Sequence, residues 1–502
     1  MQFIAAFFFV LLPWVNPFAP GPSPAVLPLL FSWGCAAALL GVCSARSHSS
    51  QHPGVPLLTI TASAWLVAGL LSSLMGLFQY FGAGGNLLPW VNQAELGQAF
   101  ANLRQRNQFA SLTNMALAAL FWFASIALPA RHLQVGVLSA ACLLAVGNAS
   151  SSSRTGLVQL LLLCGLGLIW SVRLRPLALR TLLAAVLAYA VAVVVLPWLA
   201  GLDLSLHGLT SRLRAGDDAC SSRLTLWSNV LHLIAQKPWL GWGWGELAYA
   251  HYSASYSGAR FCDILDNAHN LPLHLAVELG APLALLLCGA CTWWILRQKP
   301  WRETDPVRQL AWSVLTIILL HSLLEYPLWY GPFQMALGLC IVFLWREQPA
   351  YTVCKTGDTI KNKASNKLLW QYLRVFPAVI LISICGAAAL DYRRVSQIYL
   401  PPESRDAAFR DDTLAKIRNA WLFTNQARFA ELLVTPLARD NAQWTLDTAT
   451  SLLHYSPEPR VIKKVIESAG LLGRDDEAQV QMAHYRAAFP ADHARWAKAN
   501  AR

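Results

Sequence analysis

Three residues able to do chemistry stand between long apolar runs. Arg154 lies in Ser-Ser-Ser-Arg-Thr-Gly, Arg223 in Ser-Ser-Arg-Leu-Thr-Leu-Trp, and His269 in Asp-Asn-Ala-His-Asn. A guanidinium stays charged at any working pH and presents a planar fork that matches phosphate oxygens. A histidine ring titrates near neutral pH, the range a general base requires. Two fixed cations and one titratable base at a membrane surface suit a lipid-linked diphosphate. The cations stabilise the charge of the leaving group, and the base activates a hydroxyl that is otherwise a poor nucleophile. Each residue also has a plainer use. An arginine near a bilayer needs an anionic partner, and Asp217, Asp218, Glu325 or a lipid phosphate would serve. His269 would cap the following helix or fill an interface. The conjunction of all three favours the chemical reading. Asp266, three residues before His269, is a carboxylate that can orient its ring.

The elements that must position these residues are membrane helices. The chain has 502 residues, of which 55% are hydrophobic and only 13% charged. That charge is about half of what a soluble domain carries, so lipid must cover much of the surface. A helix needs roughly 20 mostly apolar residues to cross a bilayer. The runs 2–14, 24–43, 57–79, 108–129, 133–148, 155–172, 179–200, 272–296, 309–323, 328–345 and 370–390 qualify as spans, the first and the 133–172 pair least clearly. The expectation is an all-α polytopic membrane protein with about 11–12 transmembrane helices. Its organisation reads as N-terminal spans in 1–200, a large extracytoplasmic loop in 201–271, further spans in 272–390 and a soluble helical domain in 391–502. The N-terminus has no basic region and no clear cleavage site, so it reads as a retained first span.

The net charge of +12 could suggest nucleic acid, but its distribution argues otherwise. The excess lies in alternate short loops, at Arg46, at Arg131, at Arg173, Arg175 and Arg180, at Arg297, Lys299, Arg302 and Arg308, and at Arg346, Lys355, Lys361, Lys363 and Lys367. Positive loops mark the cytoplasmic side. Arg154, Arg223 and His269 then all face out, although they played no part in setting the orientation. In the large loop, Trp239, Trp242 and Trp244 alternate with glycines, as suits a turn resting at headgroup level or a loop packed by aromatics. Cys220 and Cys262 fall in or beside this loop, where an oxidising compartment would allow a disulfide; two free thiols are the alternative. Beyond about residue 391 charges of both signs are dense. Apolar residues recur at helical spacing in 412–436 and 461–489, and 471–490 looks like half of a tetratricopeptide hairpin.

A metal centre is the main chemical rival. His251, Cys262, Asp263, Asp266, His269 and His274 are close in sequence, but their spacing fits no tight zinc pattern. Asp263 and Asp266 are spaced so that they could hold a divalent cation on a diphosphate, yet the reading adopted is metal-free and without cofactor. No Walker-type loop or Gly-x-Ser-x-Gly elbow is present. A transporter would need ionisable groups near the bilayer midplane, and the mid-span stretches are nearly free of charge.

The ordered set Arg-Gln-Arg-Asn-Gln-Phe-Ala (104–110), Ser-Ser-Arg-Thr-Gly (152–156), Ser-Arg-Leu-Thr-Leu-Trp (222–227), Pro-Trp-Leu-Gly-Trp-Gly (238–243), Asn-Ala-His-Asn (267–270) and His-Ser-Leu-Leu-Glu-Tyr-Pro (321–327) resembles the O-antigen ligase and bacterial O-oligosaccharyltransferase superfamily. The resemblance covers most of residues 1–390. The start Leu-Pro-Trp-Val-Asn-Pro-Phe and the soluble tail look more like the branch that glycosylates proteins such as pilin. It implies a multi-pass inner-membrane glycosyltransferase with its active site facing the periplasm. Such an enzyme moves a glycan in bulk from undecaprenyl diphosphate to Ser or Thr of an exported protein, without nucleotide sugar or metal. The alternatives it implies are an O-antigen ligase acting on lipid A core and an O-antigen polymerase. Carried over, Arg154 and Arg223 bind the diphosphate and His269 is the catalytic base. Gln108, Asn270, Glu325 and Tyr326 fall at motif positions as candidate supporting residues. The chain departs from its relatives at Arg-Asn-Gln (106–108), where Gln-Pro-Asn-Gln is common.

Overall fold

The computed structural model describes residues 2–44, 54–126, 130–170, 176–203, 220–345 and 367–500. Asp217 and Asp218, and the loop cations Arg46, Arg173, Arg175, Arg346, Lys355, Lys361 and Lys363, lie outside those residues. The chain is an all-α polytopic membrane protein, with no strand among the described residues. Seven described helices are long and apolar enough to cross a membrane: Val26–Ser44, Leu57–Tyr80, Arg106–Ile126, Arg131–Ser150, Pro176–Leu199, Pro306–Leu324 and Val375–Tyr399. The expected spans 2–14, 155–172 and 328–345 are shorter apolar helices, Gln2–Val15, Arg154–Ile169 and Gly331–Trp345.

The chain divides into two compact units. The first comprises Met1–Ala215, Gln298–Ser322 and Pro327–Ala387; the second comprises Gly216–Arg297, Leu323–Tyr326 and Ala388–Arg502.

In the first unit, α1 (Gln2–Val15), α2 (Val26–Ser44) and α3 (Gly54–Tyr80) precede α4 (Arg106–Ile126), α5 (Arg131–Ser150), α6 (Arg154–Ile169) and α7 (Pro176–Leu199). α4 packs against α3, α5, α6 and α7 and is buried almost throughout, Asn107 to Trp122 included. Its polar side chains cannot meet water at that depth, so they must satisfy one another. Asn114 donates to the Gly156 carbonyl at 3.0 Å and to Gln159 Oε1 at 3.1 Å, and accepts from Asn148 Nδ2 at 3.0 Å. Gln159 donates to Ser111 Oγ at 2.7 Å, and Ser111 meets His321 Nδ1 at 2.9 Å.

In the second unit the expected 272–296 span is not one helix. α8 (Arg223–Gln236) and α9 (Leu247–Ser253) are followed by α10 (Leu271–Leu279) and α11 (Ala281–Gln298), which are separated at Gly280. Hydropathy cannot register this break because both halves are apolar. The cause is a backbone clamp. Trp242 N–H donates to the Val277 carbonyl at 2.8 Å, Gly243 N–H to Glu278 at 3.0 Å, and Ala281 N–H to Pro238 at 2.8 Å. Gly241 and Gly280 both adopt positive φ, at 69° and 90°. A Cβ on Gly280 would overlap the Trp239 carbonyl, and one on Gly241 the Glu278 carbonyl. Only glycine permits both the φ and the approach. The three tryptophans therefore divide. Trp239 and Trp244 are 76% and 64% exposed, whereas Trp242 is half-buried against the Leu226, Val230 and Leu233 core and donates to the Leu233 carbonyl at 3.0 Å.

The tail forms α16 (Thr424–Val434), α17 (Ala442–Leu453), α18 (Pro459–Leu471), α19 (Asp475–Ala488) and α20 (Pro490–Asn500), after the short α15 (Thr413–Ile417); α12 (Pro306–Leu324), α13 (Gly331–Trp345) and α14 (Lys367–Ser396) come before it. Its core of Leu446, Leu452, Val461, Ile462, Val465 and Tyr485 also contains Tyr252 of α9. Tyr252 donates to Gln481 Oε1 at 2.7 Å, and Tyr249 stacks on His454 with ring centroids 3.8 Å apart. The large loop and the tail are thus built into one body.

His251 in α9 is buried, with Nε2 donating to the Phe261 carbonyl at 3.1 Å and Nδ1 2.8 Å from Tyr256 Oη. A neutral ring protonated on Nε2 satisfies both contacts. Burial first, and then the Arg260 charge, lower its pKa from 6.5 to about 4. The unfolded chain takes up the proton first as pH falls, so the contribution of this ring to stability is complete above pH 6.5 and is lost between there and about pH 4. The expected loss is roughly 3 kcal/mol. His251→Gln should flatten that part of the stability–pH curve; denaturant unfolding of wild type and variant at pH 7.5 and 4.5 checks it, and parallel curves would refute the assignment.

Candidate active site

α8 begins at Arg223 because Ser222 caps it, its Oγ accepting from Thr225 N–H at 3.1 Å. The guanidinium leaves the first turn and pairs with Glu325 Oε1. Trp227, one turn on, donates from Nε1 to the Ala268 carbonyl at 3.1 Å, tying α8 to the segment that carries His269.

That segment is shaped residue by residue. His269 has φ of 49°, in the left-handed region, a strained placement for a residue with a Cβ. The Asn267 side chain holds it there by accepting from His269 N–H at 2.9 Å. Asn270 then caps α10, its Oδ1 accepting from Leu273 N–H at 3.1 Å, while its Nδ2 donates to the Leu323 carbonyl at 3.0 Å. This last bond fixes the segment that supplies Glu325 and Tyr326.

The result is a compact trio. His269 Nδ1 lies 2.7 Å from Glu325 Oε2, and the other oxygen of the same carboxylate takes Arg223. The Glu325 side chain is only 8% exposed, whereas His269 and Arg223 are 28% and 31% exposed. Tyr326 packs edge-on against the imidazole, with centroids 4.9 Å apart and planes at 89°. The anion is sheltered while the two groups it organises reach the surface. A carboxylate accepts only, so Nδ1 must carry the proton. The imidazole Nε2 then keeps its lone pair for a substrate proton.

Five of the sequence candidates, Arg223, His269, Asn270, Glu325 and Tyr326, come together here. Asp266 lies in the same unit, where burial raises its pKa and the nearby His269 lowers it; the carboxylate hydrogen-bonded to the ring is Glu325, because the chain turns at His269 and directs the ring toward the 323–326 segment. Arg223 has the carboxylate partner that its plainer reading allowed, and that partner is also the one that holds His269. Cys220 and Cys262 are joined in a disulfide with Cα atoms 5.3 Å apart, and Cys262 N–H donates to the Cys220 carbonyl at 3.0 Å. The bridge lies just before Arg223 and just before the His269 segment. Arg154 and Gln108 belong to the first unit. Arg154 opens α6 behind its cap Ser153, whose Oγ accepts from Gly156 N–H at 2.9 Å. Gln108 is buried in the first turns of α4, its N–H donating to Gln105 Oε1 at 2.9 Å. Sequence reasoning did not single out Asn267 or Trp227 individually. Both lay inside quoted motifs, but their effect is on backbone geometry, which the pattern alone does not display.

Comparisons with known proteins give three family matches along the chain. The family described as virulence factor membrane-bound polymerase, C-terminal, matches residues 309–502; the O-antigen ligase family matches 138–288; and the protein glycosylation ligase family matches 99–124. Two relatives come from Acinetobacter baylyi. One, named general O-oligosaccharyltransferase, is 24% identical over 326 residues, covering 62% of this chain and 55% of the relative. The other, named ComP-specific O-oligosaccharyltransferase, is 24% identical over 249 residues, covering 49% of this chain and 43% of the relative. The chain thus spans about half the length of the curated relatives it matches.

Proposed function

We propose that this chain, whose matches support a protein-glycosylating branch of the O-antigen ligase superfamily, is a protein O-oligosaccharyltransferase. It moves a glycan from undecaprenyl diphosphate to Ser or Thr of an exported protein such as a pilin, at the periplasmic face of the inner membrane. The observation that carries the reading is the single carboxylate of Glu325 holding both His269 Nδ1 and Arg223. In the proposed step the acceptor hydroxyl gives its proton to His269 Nε2. Its oxygen forms the new bond to the anomeric carbon as the bond to the diphosphate oxygen breaks. The electron pair leaves with the diphosphate, whose charge Arg223 stabilises through the N–H donors that Glu325 does not use. Glu325 orients the ring and stabilises the imidazolium, as the carboxylate of a hydrolase triad does. Arg154 is the second candidate for phosphate binding. The Cys220–Cys262 disulfide supports an oxidising compartment for this unit.

The acceptor decides between this and a second reading. The O-antigen ligase match over 138–288 and the polymerase match over 309–502 favour lipid A core or a growing chain as rival acceptors for the same chemistry. Co-expression with a lipid-linked glycan pathway and a candidate pilin, read by intact pilin mass, separates them. A glycan-sized gain with wild type but not with His269→Ala is the expected result. Glycan on lipid A or in longer chains, with pilin unchanged, would move the function to ligase or polymerase. Near wild-type transfer by His269→Ala would refute the mechanism.

A further inference from the structure

We infer that Arg106 is a phosphate-binding residue of this chain, acting beside Arg154 on the oxygens of a lipid-linked diphosphate. The inference rests on the donor class proposed above and concerns the first unit alone.

Arg106 is the first residue of α4 and is half-buried. Its guanidinium makes no hydrogen bond or ion pair with any described residue. The neighbouring cation in the same turn behaves differently. Arg104 is used up on backbone, donating to the Pro17 carbonyl at 2.6 Å and to the Asn102 carbonyl at 3.4 Å. A half-sheltered guanidinium with five donors and no acceptor among the described residues suits an external anion.

The surroundings of Arg106 say which anion. Asn107, the next residue, accepts from Ser153 Oγ at 2.6 Å, and Ser153 is the residue before Arg154. The two arginines thus flank a directly bonded pair, and each is the first residue of its helix. The bond is not loose. Ser151 Oγ donates to the Asn148 carbonyl at 2.5 Å, and Asn148 in turn donates to Asn114 within the buried polar network. Ser152 holds φ of 50°, a turn that delivers Ser153 to Asn107. The bond brings together the backbone positions of two cationic residues, and charge from both would favour a ligand with charge on two adjacent groups. A diphosphate has that form; a single bilayer phosphodiester offers one.

The test uses full-length protein in phosphatidylcholine nanodiscs, with farnesyl diphosphate, farnesyl monophosphate and phosphatidylglycerol as probes. Arg106→Gln should weaken diphosphate binding about tenfold and flatten its salt dependence, with a smaller effect on the monophosphate. Arg106→Lys, which keeps the charge but loses the fork, should recover part of the affinity and guards against a folding defect. Unchanged diphosphate affinity in both variants would overturn the inference while leaving the donor reading intact. An equal loss of phosphatidylglycerol would overturn it too, identifying Arg106 as a headgroup contact. Failure of the wild type to bind diphosphate would refute the donor reading and this inference together.

Discussion

Glu325→Gln is expected to lower glycan transfer by about a thousandfold or more while leaving the protein inserted and folded. The carboxylate serves two cationic or donor groups at once, Arg223 through one oxygen and His269 Nδ1 through the other. The amide can keep the shape but not the charge. Its NH2 can donate to Nδ1 and so stabilise the tautomer in which Nε2 carries the proton, and a base in that form cannot accept one. A comparable change in a hydrolase triad costs about 10⁴. Arg223 would also lose the partner that holds it, so donor binding should weaken by a smaller factor. Glu325→Asp, with a shorter carboxylate, should recover part of the rate but not all of it. Single-turnover transfer measured beside donor binding separates the two effects. A Gln variant within threefold of wild type would mean that the ring is oriented by something else.

Breaking the Cys220–Cys262 bridge should cost the second unit several kilocalories per mole and most of its activity. The bridge closes a loop with a sequence separation of 42, for which chain entropy gives about 4 kcal/mol, near the upper end of the usual range. The loss would fall where it matters. One cysteine lies just before the Ser222 cap of α8, and the other just before the turn that presents His269. Arg223 and His269 are aligned by what holds those two segments together, and the bridge shares that work with Trp227 on the Ala268 carbonyl and with Asn229, which accepts from Phe261 N–H and donates to the Ala259 carbonyl. Cys220→Ser and Cys262→Ser, alone and together, should unfold at lower denaturant and lose transfer to a similar degree in all three. Reductant should reproduce the effect in wild type and do nothing more to the double variant. A double variant as stable and active as wild type would remove the bridge from the argument.

Much of the architecture was written in local chemistry. The apolar runs that became Leu57–Tyr80, Arg106–Ile126 and Pro176–Leu199 are legible because each residue meets lipid or a neighbouring helix independently of distant sequence. The helical character of the tail is legible for a similar reason, since its apolar residues repeat at the period of a single helix. Arg154, Arg223 and His269 could be picked out because charged and titratable groups beside apolar runs are costly unless they have a use.

Local chemistry along the chain thus dictates helices, their apolar lengths and the short motifs that carry donors and a base. Which of those groups meet depends on how distant segments pack. Glu325 stands 56 residues from His269 and 102 from Arg223, whereas Asp266, the carboxylate the sequence offers to orient the ring, is nearer along the chain. The left-handed turn at His269 and the hold of Asn270 on the Leu323 carbonyl reversed that order. The break at Gly280 was equally invisible, because it is made by the carbonyls of a loop some 40 residues earlier rather than by any polar residue in the helix. Tyr252, in the large loop, completes the core of a tail that begins well over a hundred residues later. Hydrophobicity and helical period act over a few residues, whereas a carboxylate shared between an arginine and a histidine exists only once the chain has brought three distant segments within hydrogen-bond reach.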